Sequence, residues 1–343
     1  AKDAADILPA GFTCPHCGKS NGFTKEEDTL DGWFDSGSSH FASMKKDQGF
    51  WPADVYMEGL DQYRGWFQAA LLTAVGSTGV AKAPFKTCIT HGWTVDGEGK
   101  AMHKSLGNGV DPYDIMNKYG ADLIRLWAAS ADYHADMRCS EKIFKQLSQN
   151  YLKFRNTARY CLGNLNGFDP DNLVAPADML ALDKWAITRL NALIQKCFQG
   201  YDDYDFNVVT HAVNDFCVVE MSNFYLDIIK DRLYCEGKDS LARRSAQTAL
   251  YLILDTMTKI MAPVLCFTGD EIWQSMPHAA GVDGRNVVFN DMNQPFADYA
   301  LSADEMAQWD KIIAVRDVVN GVLETARAEK KIGKSLEADI VLT

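Results

Sequence analysis

Long apolar runs are missing from this chain. None reaches the ~18–20 residues that a membrane-crossing helix needs, so no such helix and no membrane partner is predicted. No charged-apolar-small pattern opens it, so no secretory leader is visible. Positive charge is scarce: 34 Lys and Arg stand against 46 Asp and Glu, giving a net charge of −12 at pH 7. That balance argues against a simple polyanion binder, because phosphate contacts need clustered cations. An acidic protein can still hold RNA through a local basic face. Cysteines are scattered rather than clustered. Most of the nine sit singly in apolar helical patterns (Cys161, Cys197, Cys217, Cys266), as free core thiols do, which suits a reducing cytoplasm. The close pair in Cys14-Pro15-His16-Cys17-Gly18 is half of a four-ligand zinc site, and no second close pair follows. An unmetallated turn and a knuckle whose partner ligands lie elsewhere both stay open, so zinc remains uncertain and no metal site is assigned.

What is present is ordinary for a globular protein: 47% hydrophobic and 23% charged residues over 343 positions, enough for two or more domains. One stretch stands out, GEGKAMHKSLGN at 97–108. Small residues let a backbone approach a polyphosphate, while a lysine ammonium neutralises charge that grows in a transition state. Glycine-lysine loops are also common as plain solvated turns. The loop follows an apolar stretch at 85–95, expected as a buried strand with a turn at His91-Gly92. It precedes helices expected at 111–119 and 121–131, split by Gly120. Residues 28–41 are expected as a strand entering a Ser-Gly turn, with Asp35, Ser36 and Gly37 available to a ligand or as a cap. Residues 54–59 are expected as a short strand leading to a helix from 61 to about 75, capped by Asp61. From about 140 to 308 apolar residues recur at three-and-four spacing, which predicts long amphipathic helices in a bundle. Arg125, on an apolar face, is expected to pair internally. A loop is expected at 280–300, a helix at 303–330, and the second GKS, at 333–335, is expected to be a turn.

The residues AMHKSLGN resemble the KMSKS signature loop of class I aminoacyl-tRNA synthetases. DVYMEGLDQYRGWFQAALL and ITHGWTVDGEGK are similar to that family's catalytic blocks, and DPYDIMNKYGADLIRLWAASADYHADMRCSEKI to its post-signature helices. The Ser-Leu-Gly-Asn ending and the Ala-Asp-x-Arg-Cys-Ser run favour the isoleucyl branch over valyl or leucyl relatives. The resemblance runs from about residue 12 to 343. The H-x-G-H signature, the editing domain and the C-terminal zinc module of that family do not occur in it, so the chain is expected to be a fragment of a longer protein and inactive by itself.

The resemblance implies a fold class of α/β plus all-α: a partial Rossmann-type half-domain at 31–108 after a connector at 1–30. A helical connector at 109–140, a helical-bundle anticodon-binding domain at 141–330 and the start of a further module at 331–343 would follow. It implies ATP-dependent activation of isoleucine and transfer to tRNA(Ile), with ATP and Mg2+ as cofactors, in a cytoplasmic monomer. Glu58, Gly59, Asp61 and Gln62 match positions that contact the aminoacyl-adenylate, and His91 and Gly92 adjoin them in that role. Met102, His103, Lys104 and Ser105 match the signature. Lys104 is the catalytic candidate, since Ala101 stands where the family has its first lysine; Lys100 is a neighbouring cation able to compensate. Tyr63 stands where histidine is common and is expected to keep the packing. Lys153, Arg155 and Arg159 are the candidates for RNA phosphate contact. The competing readings are a tRNA-binding module without catalysis, a valyl- or leucyl-type enzyme, and a stable chain without function.

Overall fold

The computed structural model describes residues 2–44, 49–77 and 81–342, with Ala5 and Lys104 described by their backbone alone. The chain divides into two compact units, Ala1–Trp93 and Thr94–Thr343.

In the first unit, helices α1 (Ala4–Ile7), α2 (Gly32–Gly37) and α3 (Ser39–Ser43) precede strand β1 (Ala53–Gly59). A 3-10 turn (Leu60–Arg64), helix α4 (Trp66–Ser77) and strand β2 (Phe85–His91) follow. The two strands pair in parallel, Ala53 opposite Phe85 through Gly59 opposite His91, so the unit is a β-α-β crossover. Tyr56, Phe67, Ala70 and Ala53 form its small core, with the Tyr56 ring stacked on Trp66 at 4.3 Å between centroids.

Three expectations need correction here. Residues 32–43 are helical, not extended. The Asp31 carboxylate accepts from the Trp33 amide at 2.7 Å and starts α2, which then lies on α4. That approach requires glycine at 37, where a Cβ would come within 2.6 Å of the Ala69 Cβ. Nor does the helix after β1 run on from residue 61. It breaks at Gly65, where a Cβ would sit 2.4 Å from the Gln62 Oε1 that accepts from the Trp66 amide at 3.0 Å. Gln62, rather than Asp61, caps α4. Finally, the strand within 85–95 is not buried: β2 stops at His91, at the expected turn, but only its Ile89 is buried.

The second unit begins with strand β3 (Thr94–Val95), which pairs in parallel with β4 (Met137–Arg138). Between them lie α5 (Pro112–Tyr119) and α6 (Ala121–Ser130). The Asp111 carboxylate caps α5 at the Tyr113 amide (2.8 Å) with proline at the first turn, and Gly120 ends it at φ 88°. The predicted bundle follows: α7 (Glu141–Asn164), α8 (Ala181–Asp202), α9 (Phe206–Asp215), α10 (Leu226–Ile228), α11 (Lys230–Cys235), α12 (Leu241–Met261), α13 (Cys266–Trp273) and α14 (Ala303–Ala328). A π-helical stretch, Phe216–Tyr225, joins α9 to α10. Helix α12 is buried on every side from Ser245 to Met261, as the central helix of a bundle must be.

Buried polar groups tie the bundle. The fully buried Asp183 carboxylate accepts from both terminal nitrogens of Arg232 (2.8 and 2.9 Å), from the Tyr225 hydroxyl (2.7 Å) and from the Ser245 hydroxyl (2.5 Å). On α6, Asp122 accepts from the amides of Phe267 and Thr268, which open α13. Arg125 does find internal partners, but they are the carbonyls of Pro263 and Val264 (2.6 and 2.9 Å). At 333–335 the expected turn is present, with the amides of Gly333 and Lys334 donating to Glu337.

Candidate functional site

The candidate residues fall into separate groups. In the first unit, the parallel register sets Glu58 and Gly59 beside Thr90 and His91 at the carboxyl ends of β1 and β2. Open parallel sheets bind ligands at that edge. Gly59 keeps the approach open: a Cβ there would lie 2.7 Å from the Asp61 Oδ1 and 3.7 Å from the His91 Cε1. His91 Nε2 lies 4.0 Å from the Glu58 carboxylate, while Nδ1 is 2.8 Å from the Gly92 carbonyl. An Nδ1–H donating to that carbonyl leaves Nε2 directed at Glu58. Gln62 is held at both ends, by its bond to the Trp66 amide and by Nε2 donating to Asp61 at 3.3 Å. Glu58, Gly59, Asp61, Gln62 and His91 are thus brought together, with Gly92 next to them. The exposed Glu58 and Asp61 carboxylates suit an ammonium or ribose hydroxyls. Tyr63 does not keep the packing as expected; it is 64% exposed, with the Arg64 guanidinium 5.7 Å over its ring.

In the second unit the glycine-lysine loop is a tied structure. Val95 pairs with Ala101 in an antiparallel bridge, and the Asp96 amide donates to the Lys100 carbonyl at 2.8 Å. The Asp96 carboxylate accepts from the amides of Glu98 (3.0 Å) and Lys100 (2.8 Å) and from the Asn108 side chain (2.8 Å). Asn108 Nδ2 also donates to the Ala101 carbonyl (3.1 Å), and its Oδ1 accepts from the His103 amide (2.9 Å). The Lys100 amide, first, and the Asn108 side chain hold the Asp96 carboxyl below its ordinary range. Met102 packs half-buried against the bundle core and anchors the strip, while Ala101, His103 and Ser105 are exposed. Lys104 opens a 3-10 turn (Lys104–Leu106), and its side chain lies outside the described part. Lys100 pairs with Glu98 at 3.0 Å, both more than 70% exposed. Such a pair contributes ~1 kcal/mol or less, so the ammonium is readily released.

Sequence reasoning missed Asp96 and Asn108. The signal for Asp96 was present, an aspartate directly ahead of the Gly97-Glu98-Gly99 turn; nothing local announced that Asn108 closes on it. Arg138 was missed too: it donates to the Gly97 carbonyl at 3.4 Å from strand β4.

The RNA candidates lie along α7. Lys153 and Arg159 are exposed, and Arg155 reaches Tyr151 (3.4 Å) and Glu271 (3.5 Å). At the knuckle, the Cys14 amide donates to the Lys19 carbonyl and the Gly18 amide to the Cys14 carbonyl, both at 2.8 Å. The backbone N–H groups of Cys17 and His16 lower the Cys14 thiol pKa. Among the described residues, no third His, Cys, Asp or Glu joins Cys14 and Cys17 as a ligand group. No helix of the described residues is long and apolar enough to cross a membrane.

Comparison with known proteins places both units. The family model for "tRNA synthetases class I (I, L, M and V)" matches residues 2–140, and that for "Anticodon-binding domain of tRNA ligase" matches residues 183–342. An isoleucine–tRNA ligase of Syntrophotalea carbinolica is 49% identical over 344 aligned positions, which cover 100% of this chain and 36% of the relative. One from Caldanaerobacter subterraneus subsp. tengcongensis is 50% identical over 339, covering 98% and 36%. The chain therefore spans about a third of the length of these relatives. Among solved structures, the Agrobacterium radiobacter LeuRS–tRNA–LeuAMS ternary complex matches with a TM-score of 0.61 at 19% identity, over 85% of this chain and 36% of its own. Mycobacterium tuberculosis methionyl-tRNA synthetase bound by methionyl-adenylate matches with 0.58 at 17%, over 74% and 53%. At those identities the neighbours speak for the fold. Sequence and fold agree, and the chain belongs to the class I tRNA synthetase family.

Proposed function

We propose that this chain is the signature-loop and anticodon-stem portion of an isoleucine–tRNA ligase. The observation that carries the reading is identity of 49–50% to isoleucine enzymes along the whole chain, against 19% to the LeuRS structure. A valyl- or leucyl-type enzyme is disfavoured on the same ground. The proposed domains are the half-domain at 31–108, the connector at 109–140 and the bundle at 141–330.

In the proposed reaction an isoleucine carboxylate oxygen attacks the α-phosphorus of ATP. The bond to the bridging oxygen of the β-phosphate breaks and pyrophosphate leaves. A terminal ribose hydroxyl of tRNA(Ile) then takes the isoleucyl group as an ester and AMP leaves. Mg2+, when bound, would neutralise charge on the phosphates. Little covalent chemistry is asked of the protein; it positions the reactants and stabilises developing charge. Glu58 or Asp61 takes the substrate ammonium, Gln62 the ribose, and His91 with Gly92 the base or amino acid. Residues 102–105 face the phosphates, with Lys104 meeting the charge that grows on the leaving group. Lys153, Arg155 and Arg159 contact RNA phosphates. The protein works as a cytoplasmic monomer.

The chain alone, without an H-x-G-H tetrad, is proposed to run no synthesis. Robust isoleucine-dependent pyrophosphate exchange by it would contradict that. In the whole protein, Lys104→Ala is expected to slow this exchange about a hundredfold, equivalent to ~3 kcal/mol. An unchanged rate would remove Lys104 from the chemistry.

A further inference from the structure

The loop at 96–108 owes its shape to two side chains that do not belong to the lysine-bearing strip. Asp96 sits where the chain leaves β3, and Asn108 twelve residues later, where it moves on towards α5. Between them they make five hydrogen bonds, to the amides of Glu98, Lys100 and His103, to the Ala101 carbonyl, and to each other. Every acceptor and donor in this set is matched in kind: both Asp96 oxygens accept, Asn108 Oδ1 accepts and Nδ2 donates twice. The bond from the His103 amide to Asn108 Oδ1 fixes the Met102–His103 peptide, one residue ahead of Lys104. Glycine at 99 (φ 87°) and 107 (φ 62°) lets the backbone turn within this ring. Met102 supplies the remaining anchor, packed on the bundle core.

We propose that Asp96 and Asn108 are positioning residues, a clasp that holds residues 101–105 in the register from which they meet a polyphosphate. This rests on the reading of that loop as phosphate-facing. The clasp matters more here than in a loop with two signature lysines. With Ala101 in place of the first, one fixed lysine carries the electrostatic work, and a charge acts on a transition state only where its backbone holds it. A free glycine-rich loop would have to lose its conformational entropy at the moment of binding; the clasp removes that cost beforehand.

Side-chain exchange between the two positions tests this. In Asp96→Asn, whichever way the new amide turns, donor meets donor on one side. In Asn108→Asp, two carboxylates face each other. The double variant restores the match between the two side chains, because the new amide at 96 donates to the new carboxylate at 108, which still accepts from the His103 amide; only the bond to the Ala101 carbonyl is not regained. Inorganic tripolyphosphate is the probe, titrated into the labelled 343-residue chain, with amide hydrogen exchange at His103 read in the same samples. Each single variant is expected to weaken tripolyphosphate binding about tenfold and speed exchange at His103. The double variant should bind clearly more tightly than either single variant, short of the parent by the lost Ala101 bond.

Lys104→Ala should abolish tripolyphosphate binding while leaving His103 exchange unchanged. That separates failure of the phosphate reading from failure of the clasp. Single variants with faster exchange and unaltered affinity would overturn the positioning role. So would a double variant that recovers neither. Absence of binding by the parent chain would overturn the phosphate reading and the proposal with it, whatever the exchange rates show.

Discussion

At the scale of single residues, the loop shows how little a charge means without its mounting. Lys104 matches the signature by residue type and place, and its neighbours are fixed by Asp96, Asn108 and Met102. Ala101 is exposed and bridged to Val95, so a longer side chain meets no steric barrier there. Ala101→Lys in the whole protein should therefore raise isoleucine-dependent pyrophosphate exchange, by about ten- to a hundredfold, the range for one added charge at a developing anion. A rate that stays level would show that Lys100 or Arg138 already fills the role. The thiols offer a second check. Cys14 is held low by the backbone N–H groups of Cys17 and His16, whereas partial desolvation raises the exposed Cys88. Near pH 7.5 Cys14 should alkylate faster than Cys88, because the thiolate is the nucleophile, as mass spectrometry of the partly labelled chain would read out. Cys197 and Cys217, both pushed up to about 12 by burial, should label only on unfolding. Of these residues, the strip 101–105 was legible because its motif is contiguous. The partnership of Asp96 with Asn108 was not, since it exists only once the loop closes.

At the scale of elements, periodicity carried the bundle and failed at the small helices. Helices α7, α8 and α12 repeat apolar residues at three-and-four spacing for twenty or more positions, and no competing pattern fits such a length. Residues 32–43 are too short for that test. There Trp33 and Phe34 resembled a strand, and the deciding facts, the Asp31 cap and the Gly37 approach to α4, are tertiary. The π-helical stretch at Phe216–Tyr225 has no periodic signature of its own either. What the helices rely on is sharper in the structure than in the pattern. Asp183 joins α8 to α11, α12 and the π-helical stretch through Arg232, Ser245 and Tyr225. Asp183→Ala would leave the largely buried Arg232 charge without its carboxylate. The expected loss is ~3–5 kcal/mol of stability, read as a lower midpoint in urea unfolding of the chain. A loss under ~1 kcal/mol would mean that water replaces the carboxylate.

At the scale of the whole molecule, net charge and family membership pull in opposite directions. A chain at −12 repels RNA at a distance, so the proposed tRNA binding has to come from a few cations on one face. Arg155, only loosely engaged by Glu271, and exposed Arg159 lie one turn apart and form such a group along α7, and exposed Lys153 adds a third cation around the helix. An exposed ion pair of that kind yields to a phosphate at little cost. Composition alone pointed away from the proposed partner, and only the contiguous motifs and the long bundle pointed towards it. The measurement that tests the account most directly is tRNA binding by the 343-residue chain, followed by fluorescence anisotropy at two salt concentrations, with isoleucine tRNA against an unrelated tRNA. The account predicts tighter binding to isoleucine tRNA and a log–log salt slope of about −2 to −3, as three phosphate contacts require. Equal binding of both tRNAs, or none, would contradict it.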